Sequence, residues 1–265
     1  MQTTKPNFEG KSMNSSSREM SNYINIKEYH EAEATHPFYK EMVDEMLNQI
    51  KNISSKKETR VVEFGAGTGL FTKELLEINN LKVDAVEIDE VCYSYLQNNL
   101  GNKGANLILG DAITYSGDYF YDVVVSCFAH DHIHFDKRFD YAKNVARNLA
   151  PGGFYIVGHE IIPHFSNEEE RIKALRSFQG YIIWKAIQDG CEKVAGLELE
   201  SLKSAIAGIG DCKRHMKMFE EEMQAAGLKE IFRKKIGPLD REDVGGVYVF
   251  VYKNDKLKQI WEILG

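Results

Sequence analysis

Five of the eight histidines fall between His130 and His164, three of them in the run His130-Asp131-His132-Ile133-His134. An imidazole titrating near neutrality and oriented by a carboxylate can take a proton from a reacting oxygen or nitrogen. His130, Asp131 and His132 are the first candidates for that role, with help from His159, which precedes Glu160. If residues 130–134 are extended, alternate side chains share a face and the three histidines come together. That arrangement would suit a metal instead, with His159 or His164 completing the site and His130, His132 and His159 as the favoured set. The plain alternative for any one of these histidines is a hydrogen-bonding residue at a strand end.

A second group of residues suits binding. Glu63-Phe64-Gly65-Ala66-Gly67-Thr68-Gly69 follows the apolar run Val61-Val62 and opens a helical stretch. Its glycines permit a tight turn and close approach of backbone to a ligand. The spacing is not GxGxxG, so the dinucleotide fingerprint is not met. Glu87 ends the next strand-like segment, a position from which a carboxylate accepts from a ribose diol in a doubly wound fold. Gly110-Asp111-Ala112 ends the third such segment and adds a carboxylate within reach of an adenine amine.

These groups need elements to hold them at one edge. Thr35 and Pro37 start a helix whose apolar residues, Phe38 to Ile50, recur at helical spacing. From Arg60 onward strand-like and helix-like segments alternate. Strands are expected at 60–64, 82–88, 106–109, 121–127 and 154–158, and helices at 91–100 and 139–149. Alternation of this kind predicts a parallel sheet with helices on both faces. It breaks after His159, where 167–188 and 195–207 both read as helices. It resumes with a helix carrying Met216, Phe219 and Met223, then strands at 228–236 and 246–252 suited to an antiparallel pair. In such sheets ligands sit beyond the carboxyl ends of the strands, beside the switch point, which is where both groups of residues fall.

Together, Val61 to Gly69, Ala85 to Asp89, Leu109 to Ala112 and Asp122 to Cys127 resemble the class I S-adenosylmethionine-dependent methyltransferases. The E-x-G-x-G-x-G loop, Glu87 as the ribose acid and Asp111 as the adenine-proximal acid match that family's motifs. So do Pro151-Gly152-Gly153 before a strand and Ala225-Ala226-Gly227-Leu228 before the sixth strand. The resemblance implies an α/β fold: a doubly wound, Rossmann-like sheet of seven strands, the last antiparallel, with a helical cap insert. It implies S-adenosyl-L-methionine as cofactor, with Glu63, Gly65, Ala66, Gly67 and Gly69 around its methionine end. Glu87 and Ile88 would hold ribose and adenine, Asp111 and Ala112 the base, and Cys127 and Phe128 the sulfonium side. Tyr23, with Tyr29 and His36, would close over the cofactor from the N-terminal segment. The expected reaction is methyl transfer to O or N of a small organic acceptor. A metal-assisted or non-methylating enzyme on the same fold, and a cofactor-binding module without turnover, are the alternatives.

The expected organisation is a polar, disordered lead over 1–22, cap helices over 23–59 and the catalytic domain over 60–265, with the helical insert at 160–210. The insert supplies Phe178, Tyr181, Ile182, Trp184 and Ile187, a surface for a lid or a homodimer contact. Lys213 and Arg214 read as a solvated helix start, or as an anchor for an acidic substrate group. Leu257, Ile260, Trp261 and Leu264 read as a short docked helix. Net charge is −7, from 33 basic and 40 acidic residues, which argues against nucleic acid as partner. Ser126 to Ala129 also stands where many amide- and base-methylating members carry an Asn-Pro-Pro-Tyr-like motif. Segments long and apolar enough to span a membrane are missing, and the four cysteines show no CxxC spacing. The expectation is a cytoplasmic protein with reduced thiols.

Overall fold

A computed structural model describes residues 19–54 and 58–255. The N-terminal segment enters as a one-turn helix at Met20–Asn22, then α1 (Ile26–Ala32), a further turn at Glu33–Thr35, and α2 (Tyr39–Ser54). The sheet domain follows with β1 (Thr59–Phe64), α3 (Leu70–Leu76), β2 (Leu81–Glu87), α4 (Glu90–Leu100), β3 (Asn106–Leu109) and β4 (Tyr121–Cys127). A single turn at His130–His132 leads to α5 (Arg138–Asn148) and β5 (Leu149–Ile162). The insert is a helix pair, α6 (Glu168–Gln188) and α7 (Glu192–Ile206). The chain ends with β6 (Arg214–His215), α8 (Met216–Ala225), β7 (Leu228–Gly237) and β8 (Gly246–Asn254).

The strands form one sheet in the order β3-β2-β1-β4-β5-β8-β7, with the two-residue β6 alongside the end of β5. Strands β1 to β5 pair in parallel, and β8 runs antiparallel to both β5 and β7. The order reverses between β1 and β4, which opens a crevice at their carboxyl ends. Successive residues of the central strands serve opposite faces. Val61, Val123, Val125 and Ile156 pack with Met42, Met46, Leu75 and Phe178, whereas Val62, Val124, Tyr155 and Val157 pack with Tyr141, Phe219 and Met223. Burial on both faces explains the continuous valine run of β4.

Two local features aim the N-terminal segment at the crevice. A Cβ at Gly158 would meet the sulfurs of Met42 and Met46 at 2.5 and 2.6 Å, so only glycine lets α2 lie this close to β5. The Ser21 amide donates to Asp89 Oδ2 (2.7 Å), while Asp89 Oδ1 caps α4 by accepting from Val91 N (2.8 Å).

The expected alternation is present, and the structure departs from it at four places. Strand β5 runs from Leu149 through Pro151-Gly152-Gly153 instead of starting at 154, because Leu149 already pairs with Tyr121. The sheet has an eighth, short strand, β6, beside the seven expected. Met20–Asn22, expected to be disordered, forms a helical turn with Met20 buried against Ile26 and Cys92. Residues 130–134 are not extended; the turn at 130–132 points the histidines in different directions, so they share no face. The tail expectation, Leu257 to Leu264, lies outside the described residues, as does most of the lead before Glu19.

Candidate active site

The glycine loop is pinned to the end of β2 by two amides, Gly65 N and Ala66 N, both donating to the Val86 carbonyl (2.9 and 3.0 Å). Gly65 and Gly67 are in the left-handed region, at φ 77° and 56°. A side chain at Gly65 would collide with the Ala129 methyl group, whereas one at Gly67 would meet nothing within 4 Å. The Gly67 backbone therefore faces open space, as a cradle for a ligand must. Glu87 is buried and gripped at both oxygens: Gly67 N donates to Oε2 (2.7 Å) and Asp89 N to Oε1 (2.8 Å). Each oxygen keeps a second lone pair for a hydroxyl pair. Burial outweighs those amide bonds and holds the Glu87 carboxyl up at about 7.

Around this loop lies a pocket enclosing about 690 Å³ of space open to solvent. Gly65, Gly67, Glu87, Ile88, Asp111, Ala112, Cys127 and Phe128 line it, all of them residues singled out for the cofactor. Met20, Tyr29, Val86 and His132 are among the other residues of its wall. Four of the residues expected there do not line it. Glu63 is buried beneath the loop, where it accepts from Thr72 Oγ1 (2.6 Å), and burial raises its carboxyl to about 8. Ala66 packs with Ala85 and Leu96, and Gly69 opens α3 against Leu96 and Leu100. Tyr23 is turned to His132, with its hydroxyl 2.7 Å from Nδ1.

A second pocket, enclosing about 500 Å³, adjoins the first and shares Met20, Tyr29, Phe128 and His132 with it. Glu33, His36, Asp131, Glu160, Glu198, Asp211 and Lys213 line the rest, beside Ile24, Leu197 and Ser201. Phe128 divides the two spaces. It follows β4 at φ 52°, an uncommon conformation for a non-glycine residue, with its ring edge-on to His36 at 5.3 Å between centroids.

The histidine cluster separates on folding. His132 is the member that lines both pockets, held at Nδ1 by Tyr23 and with Asp211 Oδ1 3.3 Å away. Burial lowers its pKa more than Asp211 raises it, so the imidazole is neutral at neutral pH. Asp131 also lines the acceptor side. His130 and His159 line neither pocket, a correction to their placing at the acceptor edge. His130 Nε2 is bound to Glu222 (2.8 Å), which also accepts from Arg214 Nε (3.2 Å), all fully buried. His159 lies behind Asp131, with Nδ1 3.6 Å from Oδ1, and burial pushes its pKa well down. His134 pairs with Asp136, and His164 packs tilted against His215 with ring centroids 4.5 Å apart. Among the described residues no three of His, Cys, Asp and Glu could hold a metal ion, so the set His130, His132 and His159 does not form a metal site.

Lys213 and Arg214 are buried, not solvated. Lys213 is bonded to Glu160 Oε2 and lies 3.2 Å from Asp211 Oδ2 and 3.6 Å from Asp131 Oδ2. It is therefore committed to protein carboxylates and does not offer an anchor for an acidic substrate. In the insert, Phe178 and Ile182 belong to the core, while Trp184 and Ile187 are exposed. Sequence reading missed Glu33 and Glu198 altogether. Both lie on solvated-looking helical stretches, and only the packing of α7 against α1 shows that they face inward.

Residues 61–153 match the family model described as a methyltransferase domain. No curated protein matches the chain. Among solved structures, an S-adenosylmethionine-dependent methyltransferase from Clostridium acetobutylicum superposes with TM-score 0.59 at 12% identity, over 85% of this chain and 95% of its own. The 1,6-didemethyltoxoflavin-N1-methyltransferase of Burkholderia thailandensis, with 1,6-didemethyltoxoflavin and S-adenosylhomocysteine bound, gives 0.55 at 13% identity, over 86% and 84%. The N-methyltransferase NodS of Bradyrhizobium japonicum, in complex with S-adenosylhomocysteine, gives 0.53 at 13% identity, over 83% and 88%. At these identities the likeness is one of fold.

Proposed function

We propose that this chain, an S-adenosylmethionine-dependent methyltransferase by its domain, methylates an oxygen or nitrogen of a small organic acceptor held in the second pocket. The observation that carries the reading is the wall common to the two pockets, Met20, Tyr29, Phe128 and His132. S-adenosylmethionine bound in the first pocket supplies an electrophilic methyl group on a sulfonium.

The residues present fit that cofactor. The Gly67 backbone leaves room for the methionine end, Glu87 has free lone pairs for the ribose hydroxyls, and Asp111 and Ile88 flank the adenine position. Glu63 acts from below by holding the loop and α3 together through Thr72. Tyr23 acts on His132 and not on the cofactor.

His132 is the proton acceptor in this reading. With the Nδ1–H donated to the Tyr23 oxygen and Asp211 Oδ1 beside it, the Nε2 lone pair is left for the acceptor's proton. Asp131 is the second candidate on the acceptor side. His130 and His159 are positioning residues, the first fixing the turn to α8 through Glu222, the second backing Asp131. The insert and the N-terminal helices close the acceptor pocket through Leu197, Glu198, Glu33 and His36. The four cysteines are free, which suits a reducing compartment, and we place the enzyme in the cytoplasm.

Incubation with methyl-labelled cofactor and a small-molecule extract tests the proposal. Label should enter low-molecular-weight products, and His132→Gln should abolish most of that transfer while retaining cofactor binding. Label appearing only in protein or nucleic acid would contradict it.

A further inference from the structure

The polar pocket holds more carboxyl oxygens than its own donors answer. Five carboxylates line it: Glu33 from the turn after α1, Asp131 from the turn after β4, Glu160 from β5, Glu198 from α7 and Asp211 from the segment before β6. The cationic groups facing them are Lys213 and His36, and His132 is neutral. Burial opposes the charge on His36, but the Glu198 bond and the charges of Glu198, Glu33 and Glu160 outweigh it and hold its pKa at about 9.

The way Lys213 is used shows where the surplus lies. Its ammonium addresses one oxygen of each of three carboxylates: Glu160 Oε2, Asp211 Oδ2 and Asp131 Oδ2. The other oxygen of each, Glu160 Oε1, Asp211 Oδ1 and Asp131 Oδ1, is buried without a hydrogen bond, and so is Glu198 Oε2. Glu160, Asp211 and Asp131 are each at least nine-tenths buried. The nearest histidine nitrogens to them stand 3.3 to 3.8 Å off, outside hydrogen-bond geometry. Four orphaned acceptor oxygens on four residues around one cavity are costly unless a ligand with several donors enters.

We infer that the methyl acceptor carries a small organic cation bearing N–H donors, an alkylammonium or a guanidinium, received by Asp131, Glu160, Glu198 and Asp211 with Glu33 behind, while a separate uncharged oxygen or nitrogen of the same molecule takes the methyl group and gives its proton to His132. This rests on the reading of the second pocket as the acceptor's. An anion is refused by the same carboxylates, and a neutral phenol brings a single donor for four acceptors. The aromatic faces of Tyr29 and Phe128 on the cofactor side suit the carbon-bound flank of such a cation. A metal ion is a poorer occupant, since no three of these groups could hold one among the described residues. Burial holds the Glu33 carboxyl up at about 8 and raises Asp131 as well, in spite of Lys213. A cation entering favours their ionised forms, and binding therefore releases protons below about pH 8.

The test is calorimetric titration of the full chain saturated with S-adenosylhomocysteine, near pH 7, using agmatine and butylamine against butyrate as the anionic control. Two buffers of different ionisation enthalpy report the protons released. The amines should bind with proton release and butyrate should not. Glu198→Gln should weaken the amines by about tenfold or more, while S-adenosylhomocysteine affinity stays within about twofold. Glu33→Gln, which replaces a buried protonated carboxyl by a neutral amide of the same shape and should fold, should reduce the proton release. Binding of S-adenosylhomocysteine with amines no tighter than butyrate, or amine affinity untouched by Glu198→Gln, would overturn the inference and leave the methyltransferase reading standing. Failure of S-adenosylhomocysteine itself to bind would overturn that reading, and the inference with it.

Discussion

Tyr23 and His132 stand 109 residues apart in the chain, and the tyrosine hydroxyl lies 2.7 Å from the imidazole Nδ1. The imidazole shared by the two pockets is therefore held by a residue that precedes the sheet domain altogether. Desolvation keeps the Tyr23 hydroxyl neutral. Tyr23→Phe should leave His132 oriented by Asp211 alone, lowering kcat by roughly tenfold, equivalent to ~1.4 kcal/mol of lost orientation. Cofactor affinity should stay unchanged, since Tyr23 does not line the cofactor pocket. Steady-state kinetics beside calorimetry would separate the two; a selective loss of cofactor affinity would restore Tyr23 to the cofactor's side.

The pH profile should carry the mark of His132. A base must be unprotonated, so activity is present above its pKa and lost below it. Burial lowers that pKa from 6.5, so the acid limb should fall at a pH below that of an ordinary histidine. His132→Gln should remove the limb along with most of the turnover.

Two glycines of the loop should respond differently to the same substitution. Gly65→Ala drives a methyl group into Ala129 and should destabilise the fold, read as a lowered midpoint in denaturant. Gly67→Ala meets no protein atom, so its folding cost should be only the ~1–2 kcal/mol of a left-handed alanine. Its new methyl group enters the ligand space, and cofactor affinity should fall by more than stability does.

Stability itself should depend on pH through the buried carboxyls. Glu63 and Glu33 are held up at about 8 and Glu87 at about 7, all chiefly by burial. A raised pKa means that the fold binds the proton more tightly than the unfolded chain does. The associated stability is complete below about 4.5 and is lost as pH rises through 7 to 8. Ligand-free protein should therefore weaken between those limits. Glu63→Gln, which keeps an acceptor for Thr72, should be more stable than the parent by ~2–4 kcal/mol at alkaline pH and little different near pH 5. Denaturant titrations at several pH values would show whether the two curves diverge.

The sheet was legible because its signals are local. The valines of β4 and the glycines after β1 report burial and turn chemistry within a few residues, and the boundaries 106–109 and 121–127 came out as expected. Glu87 and Asp111 were legible for the same reason, as residues ending strands at the switch point. The histidines were not. Whether His130 to His134 forms a strand or a turn depends on the Cys212 amide bonding to the Asp131 carbonyl (2.7 Å), a contact some 80 residues away. Lys213 reads as solvated until β6 joins β5 and draws it inside. Glu33 and Glu198 become site residues only when α1 and α7 pack together, which no local pattern records.

The central claim is that the first pocket binds the adenosyl cofactor through Glu87. Calorimetric titration of S-adenosylhomocysteine into the parent protein and Glu87→Ala tests it most directly. One molecule should bind per chain, and the variant should bind about 10- to 100-fold more weakly, the worth of charge-assisted hydrogen bonds to two hydroxyls. No binding to the parent, or equal binding to both proteins, would contradict it.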